Sequence, residues 1–181
     1  MKKLVTTSLL ACAVAALAAQ ASAQQTPPPA NDPSKPPASV PEQMPFDIPY
    51  GMSISTEQAR QLVDAAAAEA KKHNWKMNIA VVDTNGELIA FERMQDAQVA
   101  SVTIAQNKAR TAARFRRSTR AFFAAFETGH GYIHTLDPQL AASPGGIPLV
   151  AGGKLIGAIG CSGGTGDQDE ASCMAGAKMI Q

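Results

Sequence analysis

The sequence predicts an α+β fold, an antiparallel sheet layered with α-helices, in a single domain over residues 52–181. Two pairs of β-rich runs each meet at a tight-turn signal, which makes two hairpins. Stretches of helical periodicity separate and follow them. At the N-terminal side, Ser55 followed three residues later by Gln58 forms a capping box, and Leu62, Val63, Ala66 and Ala70 recur at helical spacing. The first helix therefore runs from about Thr56 to Lys72. "MNIAVVD" (77–83) and "LIAFER" (88–93) are strands, joined at Asn85-Gly86, a strong hairpin turn that Asp83 helps to set. The Ala-rich stretch from Val99 to Phe115 is a second helix, and Thr119 to Phe126 a shorter third. Residues 127–146 read as loop. "IPLVAGGKLIGAIGC" reads as strand, Gly152-Gly153 turn, strand, and a last helix starts near Asp167.

Ahead of this domain lie two segments that do not fold with it. Residues 1–23, with Lys2, Lys3, a short apolar stretch and Ala21 and Ala23 flanking Ser22, read as a secretory signal peptide cleaved before Gln24. The apolar stretch is too short and too weakly hydrophobic to span a membrane. Cys12 follows "LLA", but the apolar residues run on past it, so the lipoprotein reading is set aside. The protein is expected to be periplasmic or secreted. Residues 24–51 hold nine prolines and form a Pro-rich, disordered arm. Deleting residues 24–50 is expected to leave the thermal midpoint nearly unchanged. Losing Lys2 and Lys3 with the leader takes the 16 Lys and Arg to 14, against 15 Asp and Glu, a balance that gives no reason to expect nucleic acid. Cys161 and Cys173 remain after export. An oxidising compartment permits a bridge, but Cys161 sits at a strand end and Cys173 on the next helix, and the sequence does not give the Cα separation on which a bridge depends. Two buried thiols are the favoured reading.

The glycine-rich stretch "GAIGCSGGTGDQDEAS" (157–172) raises the question of a phosphate loop. It lacks the Lys-Ser/Thr pair of a triphosphate loop and the parallel strand context of a dinucleotide fold, and Asp167, Asp169 and Glu170 at the helix start repel a polyanion. A tight turn and helix cap account for it.

Four separated motifs, "NIAVVDTNGELIAFERM", "KARTAA", "GGIPLVAGGKLIGAIGCSGG" and "DQDEA", stand in the order and approximate spacing of the GlcG/HbpS-like haem-binding family, which the chain resembles from Ile54 to Ile180. That family is similar to the C-terminal domain of PduO-type cobalamin adenosyltransferases. The resemblance implies a profilin-like sheet domain that self-associates and binds haem, with haem storage, sensing or slow haem degradation. A homo-oligomer also suits the high apolar content and the Ala-rich second helix.

Site candidates come from the residues themselves. His73, at the end of the first helix, either ligates haem iron or complements the helix dipole. His130 and His134 have i, i+4 spacing, but Gly129 and Gly131 argue against a helix there, so they are read as loop residues and as candidates for a haem or metal role. No third ligand completes a zinc site. The tract "KARTAARFRRSTR" (108–120) carries six Lys or Arg, and Arg110, Arg114 and Arg117 at i, i+4, i+7 share one helical face. Such a face suits haem propionates or a small carboxylate, with a solvated charged face as the plain alternative. Phe115 alone is a poor stacking platform for single-stranded nucleic acid. No Ser-His-acid triad and no paired carboxylates appear, so no catalytic residue is assigned. Two functions remain: an exported haem-binding protein using His130, His134 or His73 with the arginines, and a non-enzymatic accessory protein binding a small carboxylate such as glycolate.

Overall fold

The computed structural model describes residues 42–44 and 46–180. The leader and most of the arm lie outside the described residues. Helix α1 (Thr56–Lys72) opens on the capping box formed by Ser55 and Gln58, both halves of which are present. Strands β1 (Asn78–Val82) and β2 (Leu88–Arg93) make the first hairpin, and Asp83 sets its turn by accepting the backbone N–H groups of Asn85 and Glu87, each at 2.8 Å. Helix α2 spans Ser101–Arg114, shorter at its start than the Val99 expected, and α3 spans Thr119–Glu127. Within the predicted loop a short 3-10 turn, Gly131–Thr135, forms. Strands β3 (Gly146–Ala151) and β4 (Lys154–Ser162) make the second hairpin, and α4 (Gly166–Ala177) follows.

The four strands form one antiparallel sheet in the order β2-β1-β4-β3. Strand alternation sorts the layers. Ile79 and Val81 of β1, with Ile159 and Cys161 of β4, face α1 and α4, whereas Ala80, Val82 and Ala158 face the alanines of α2. Alanine on α2 and glycine on the strand let the two backbones approach closely. A Cβ on Gly160 would collide with the Ala105 carbonyl and the Ala109 N–H, so this crossing admits only glycine without a shift of the helix.

Two expectations are corrected. Cys161 and Cys173 are not free thiols but a disulfide, with Cα atoms 5.6 Å apart, joining β4 to α4 inside the core. Lys108 belongs to no charged surface face. Its side chain is 1% exposed, with Nζ 2.6 Å from Asp169 Oδ2 and 2.7 Å from the Pro144 carbonyl. Asp169 Oδ1 in turn accepts the Gly164 N–H at 2.9 Å. Thr165 and Gln168 cap α4, and Asp169 turns inward to neutralise the lysine.

The end of the arm lies against the domain. Leu155 N donates to Pro49 O and Gly51 N to Leu155 O, so Tyr50 runs parallel to the start of β4. Arg116 donates to the Ile48 carbonyl and lies over the Tyr50 ring, and the Arg117 guanidinium sits 4.0 Å from the Phe46 ring and 4.1 Å from the Phe122 ring. Hydrogen bonds of about 1 kcal/mol and cation–π contacts of about 0.5–1 kcal/mol each make this a stabilising strap. Deleting residues 24–50 is therefore expected to lower the thermal midpoint by roughly 5–10 °C, where the sequence alone predicts no loss. Melting of the truncated and full-length chains compares the two, and equal midpoints would show that the strap contributes nothing.

Candidate functional site

Arginines come first because their helix ends sooner than the sequence suggests. Helix α2 stops at Arg114, and Arg116 adopts a left-handed conformation with φ 54°, which throws Arg117 off the helical face. The predicted three-arginine stripe is thus reduced to Arg110 and Arg114. Arg117 is held between Phe46 and Phe122, where burial lowers its pKa from the ordinary value. Arg110 and Arg114 close on the β1–β2 turn. Arg110 Nε donates to Gly86 O at 3.2 Å, and Gly86 has φ +92° with no room for a Cβ against Arg110 Cγ. Arg114 Nη1 pairs with Asp137 at 2.9 Å, and Tyr50 Oη donates to the Arg114 carbonyl at 3.0 Å. Between these elements lies an open groove of about 620 Å³ lined by Tyr50, Thr84, Asn85 and Arg114.

Histidines fall on two separate parts of the molecule. His73 caps α1, stacks on Trp75 with ring centroids 4.4 Å apart, and places Nε2 3.4 Å from Glu69 Oε1. Helix α1 packs on α4, β1 and β2, whereas α3 packs on the 3-10 turn, α2 and β3. His130 and His134 belong to the second region and are both exposed. They are not one turn apart on an α-helix, since His130 precedes the 3-10 turn and His134 lies within it. Among the described residues no cluster of three His, Cys, Asp or Glu could hold a metal ion.

His130 is held in place by the end of α3. Gly129 N donates to Phe126 O and His130 N to Ala125 O, both at 3.0 Å, with Gly129 at φ +87°. This is a Schellman motif, which fixes the backbone of the residue after the glycine. The His130 ring packs edge-on to Tyr132, its Nδ1 lies 3.1 Å from Thr128 Oγ1, and the His134 ring packs edge-on to Phe126. Helix α3 and the 3-10 turn together expose Phe123, Phe126, Tyr132 and Leu136, the tyrosine to 63%. Asp137, one residue further on, is the acid that pairs with Arg114, so the same segment links this face to the groove.

The residue types present suit a haem, with imidazoles for iron, large apolar side chains for a porphyrin plane and a guanidinium for a propionate, and the groove at Arg114 is lined by neither His130 nor His134. The sequence singles out His130, His134 and Arg114 as candidates. It does not single out Tyr50, Asp137 and Thr128, which the structure places beside them, and of these Thr128, standing just before Gly129, carries a readable helix-end signal.

Comparisons with known proteins agree with the fold. Residues 54–178 match the family described as haem degrading protein HbpS-like. The chain is 39% identical over 109 residues to protein GlcG of Escherichia coli (strain K12), a match covering 60% of this chain and 81% of that protein. The crystal structure of HbpS superposes with TM-score 0.68 at 27% identity, covering 75% of this chain and 95% of that one. The crystal structure of a PduOC:heme complex gives TM-score 0.67 at 28% identity, covering 72% and 96%. With the antiparallel sheet, the four helices and the matched residues all in agreement, this chain belongs to the HbpS-like family.

Proposed function

We propose that this chain is an exported haem-binding protein in which His130 supplies the axial imidazole and Arg114 holds a propionate. The observation that carries this reading is the His130 imidazole itself, exposed among aromatic side chains on a backbone fixed by the Schellman motif. A ligand held by a pre-set backbone loses less entropy on binding than one on a free loop. His134, edge-on to Phe126, belongs to the same face, and His73 is the weaker candidate because Glu69 occupies its Nε2. Bound haem would supply an iron centre capable of one-electron chemistry. The protein's own part is to hold the porphyrin face and anchor its acidic edge. The family's description and the haem complex of one structural neighbour support the reading. Export is supported by the leader composition and by the Cys161–Cys173 disulfide, which suits an oxidising compartment.

A second reading is favoured by the groove of Tyr50, Thr84, Asn85 and Arg114, whose guanidinium, amide and hydroxyl groups suit a small carboxylate such as glycolate. Titration of the full chain with haemin separates the two. The haem reading predicts a saturable shift of the Soret band, weakened by about 1.5–3 kcal/mol in Arg114→Ala through loss of a charge-assisted hydrogen bond. No shift, together with glycolate binding that Arg114→Ala abolishes, would favour the accessory-protein reading.

A further inference from the structure

Thr128 is the last residue of the α3 cap, and its hydroxyl has three neighbours. Oγ1 lies 3.0 Å from the Ala124 carbonyl, 3.0 Å from the Ala125 carbonyl and 3.1 Å from His130 Nδ1. Both carbonyls can only accept, and a hydroxyl has a single proton to donate. Both carbonyls already accept a backbone N–H, from Thr128 and His130, but a hydroxyl oxygen held 3.0 Å from two acceptor-only oxygens is repelled unless its proton points at one of them, so the proton is directed to the helix end. The hydroxyl oxygen is then left to accept, and the group facing it must be a donor. The neutral imidazole of His130 therefore carries its proton on Nδ1, and Nε2 keeps the lone pair.

We propose that Thr128 is a positioning residue for His130: by accepting from Nδ1–H it fixes both the tautomer and the ring orientation, and so selects Nε2 as the nitrogen presented to iron. This rests on the haem reading above. It also explains why His130, rather than His134, is the ligand. The His134 ring packs edge-on to Phe126, and among the described residues no side-chain hydrogen bond sets its tautomer. The backbone of His130 is pinned by the Schellman motif and its ring by Thr128, so both degrees of freedom are settled by one helix end. Outer partners of this kind change metal affinity by roughly 10–100-fold when removed.

Two variants separate positioning from mere packing. Thr128→Ser keeps the hydroxyl, and Thr128→Val keeps the shape without it. In the haem-free full chain, at about pH 8.5, two units above the ordinary histidine value, nitrogen–proton correlation spectra report which ring nitrogen of His130 carries the proton. Wild type and Thr128→Ser are expected to hold the Nδ1–H form, and Thr128→Val to move toward the Nε2–H form that free histidine prefers in water. With haemin as the probe, Thr128→Val is expected to bind roughly tenfold more weakly and Thr128→Ser within twofold of wild type. A wild-type His130 mainly in the Nε2–H form would overturn the proposal, as would equal haemin affinities for Thr128→Val and Thr128→Ser. Should Thr128→Val fail to fold, the wild-type and Thr128→Ser spectra still decide. Failure of wild type to bind haemin would remove the haem reading, while the haem-free spectra would still judge the role of Thr128 independently.

Discussion

Replacing Asp169 with Ala is expected to destabilise the domain by about 3–5 kcal/mol, because it leaves the Lys108 ammonium buried without a counter-charge. The pair spans 61 residues of sequence and ties the middle of α2 to the first turn of α4, with the Pro144 carbonyl as the other partner of Lys108. Burial pushes the Asp169 carboxyl above its ordinary pKa, and Lys108 and the Gly164 N–H act against that shift by favouring the charged form. The attraction therefore works against a large desolvation cost, and the pair is needed chiefly because either member alone would be worse. Replacing both residues together, as Lys108→Met with Asp169→Leu, is accordingly expected to cost far less than Asp169→Ala alone. Urea unfolding of the two variants checks this. A loss below about 1 kcal/mol for Asp169→Ala would mean that water reaches the lysine.

Removing the disulfide, as Cys161→Ala with Cys173→Ala, is expected to cost about 3 kcal/mol. The bridge closes a loop of sequence separation 12 between β4 and α4, and both sulfurs lie in the core that α1 and α4 share. The chain-entropy argument for a loop of that length gives this magnitude, and alanine at both positions leaves no buried polar group behind. The thermal midpoint should fall by roughly 10 °C. Protein recovered from an oxidising compartment, denatured without reductant, should have no reactive thiol from either cysteine. Titration of both thiols under those conditions would mean that the bridge does not form.

What the sequence made legible was local. The capping box at Ser55, the Asn85-Gly86 turn with Asp83, and the Gly152-Gly153 turn are set by neighbours within four residues, and each formed where its residues predicted. What it hid depended on distant crossings. The Cys161–Cys173 separation follows from how α4 packs back on β4, and the burial of Lys108 from a partner on another helix. Arg117 left its predicted face because Arg116 turns left-handed, a conformation that a non-glycine residue does not announce. The arm's end was missed because proline richness describes a segment's stiffness, and says nothing of the aromatic rings at Phe46 and Tyr50 that two arginines cover. At the site, the histidines were visible as residue types. The feature that distinguishes His130, a ring and a backbone both fixed by the end of α3, required the geometry.

The most direct measurement is the haemin absorption spectrum of three single variants, His73→Ala, His130→Ala and His134→Ala, each compared with the full-length wild-type chain. Axial ligation by His130 predicts a displaced Soret band and weakened binding in His130→Ala, with the wild-type spectrum kept in His73→Ala and His134→Ala. Wild-type spectra and affinities in all three variants would contradict imidazole ligation altogether.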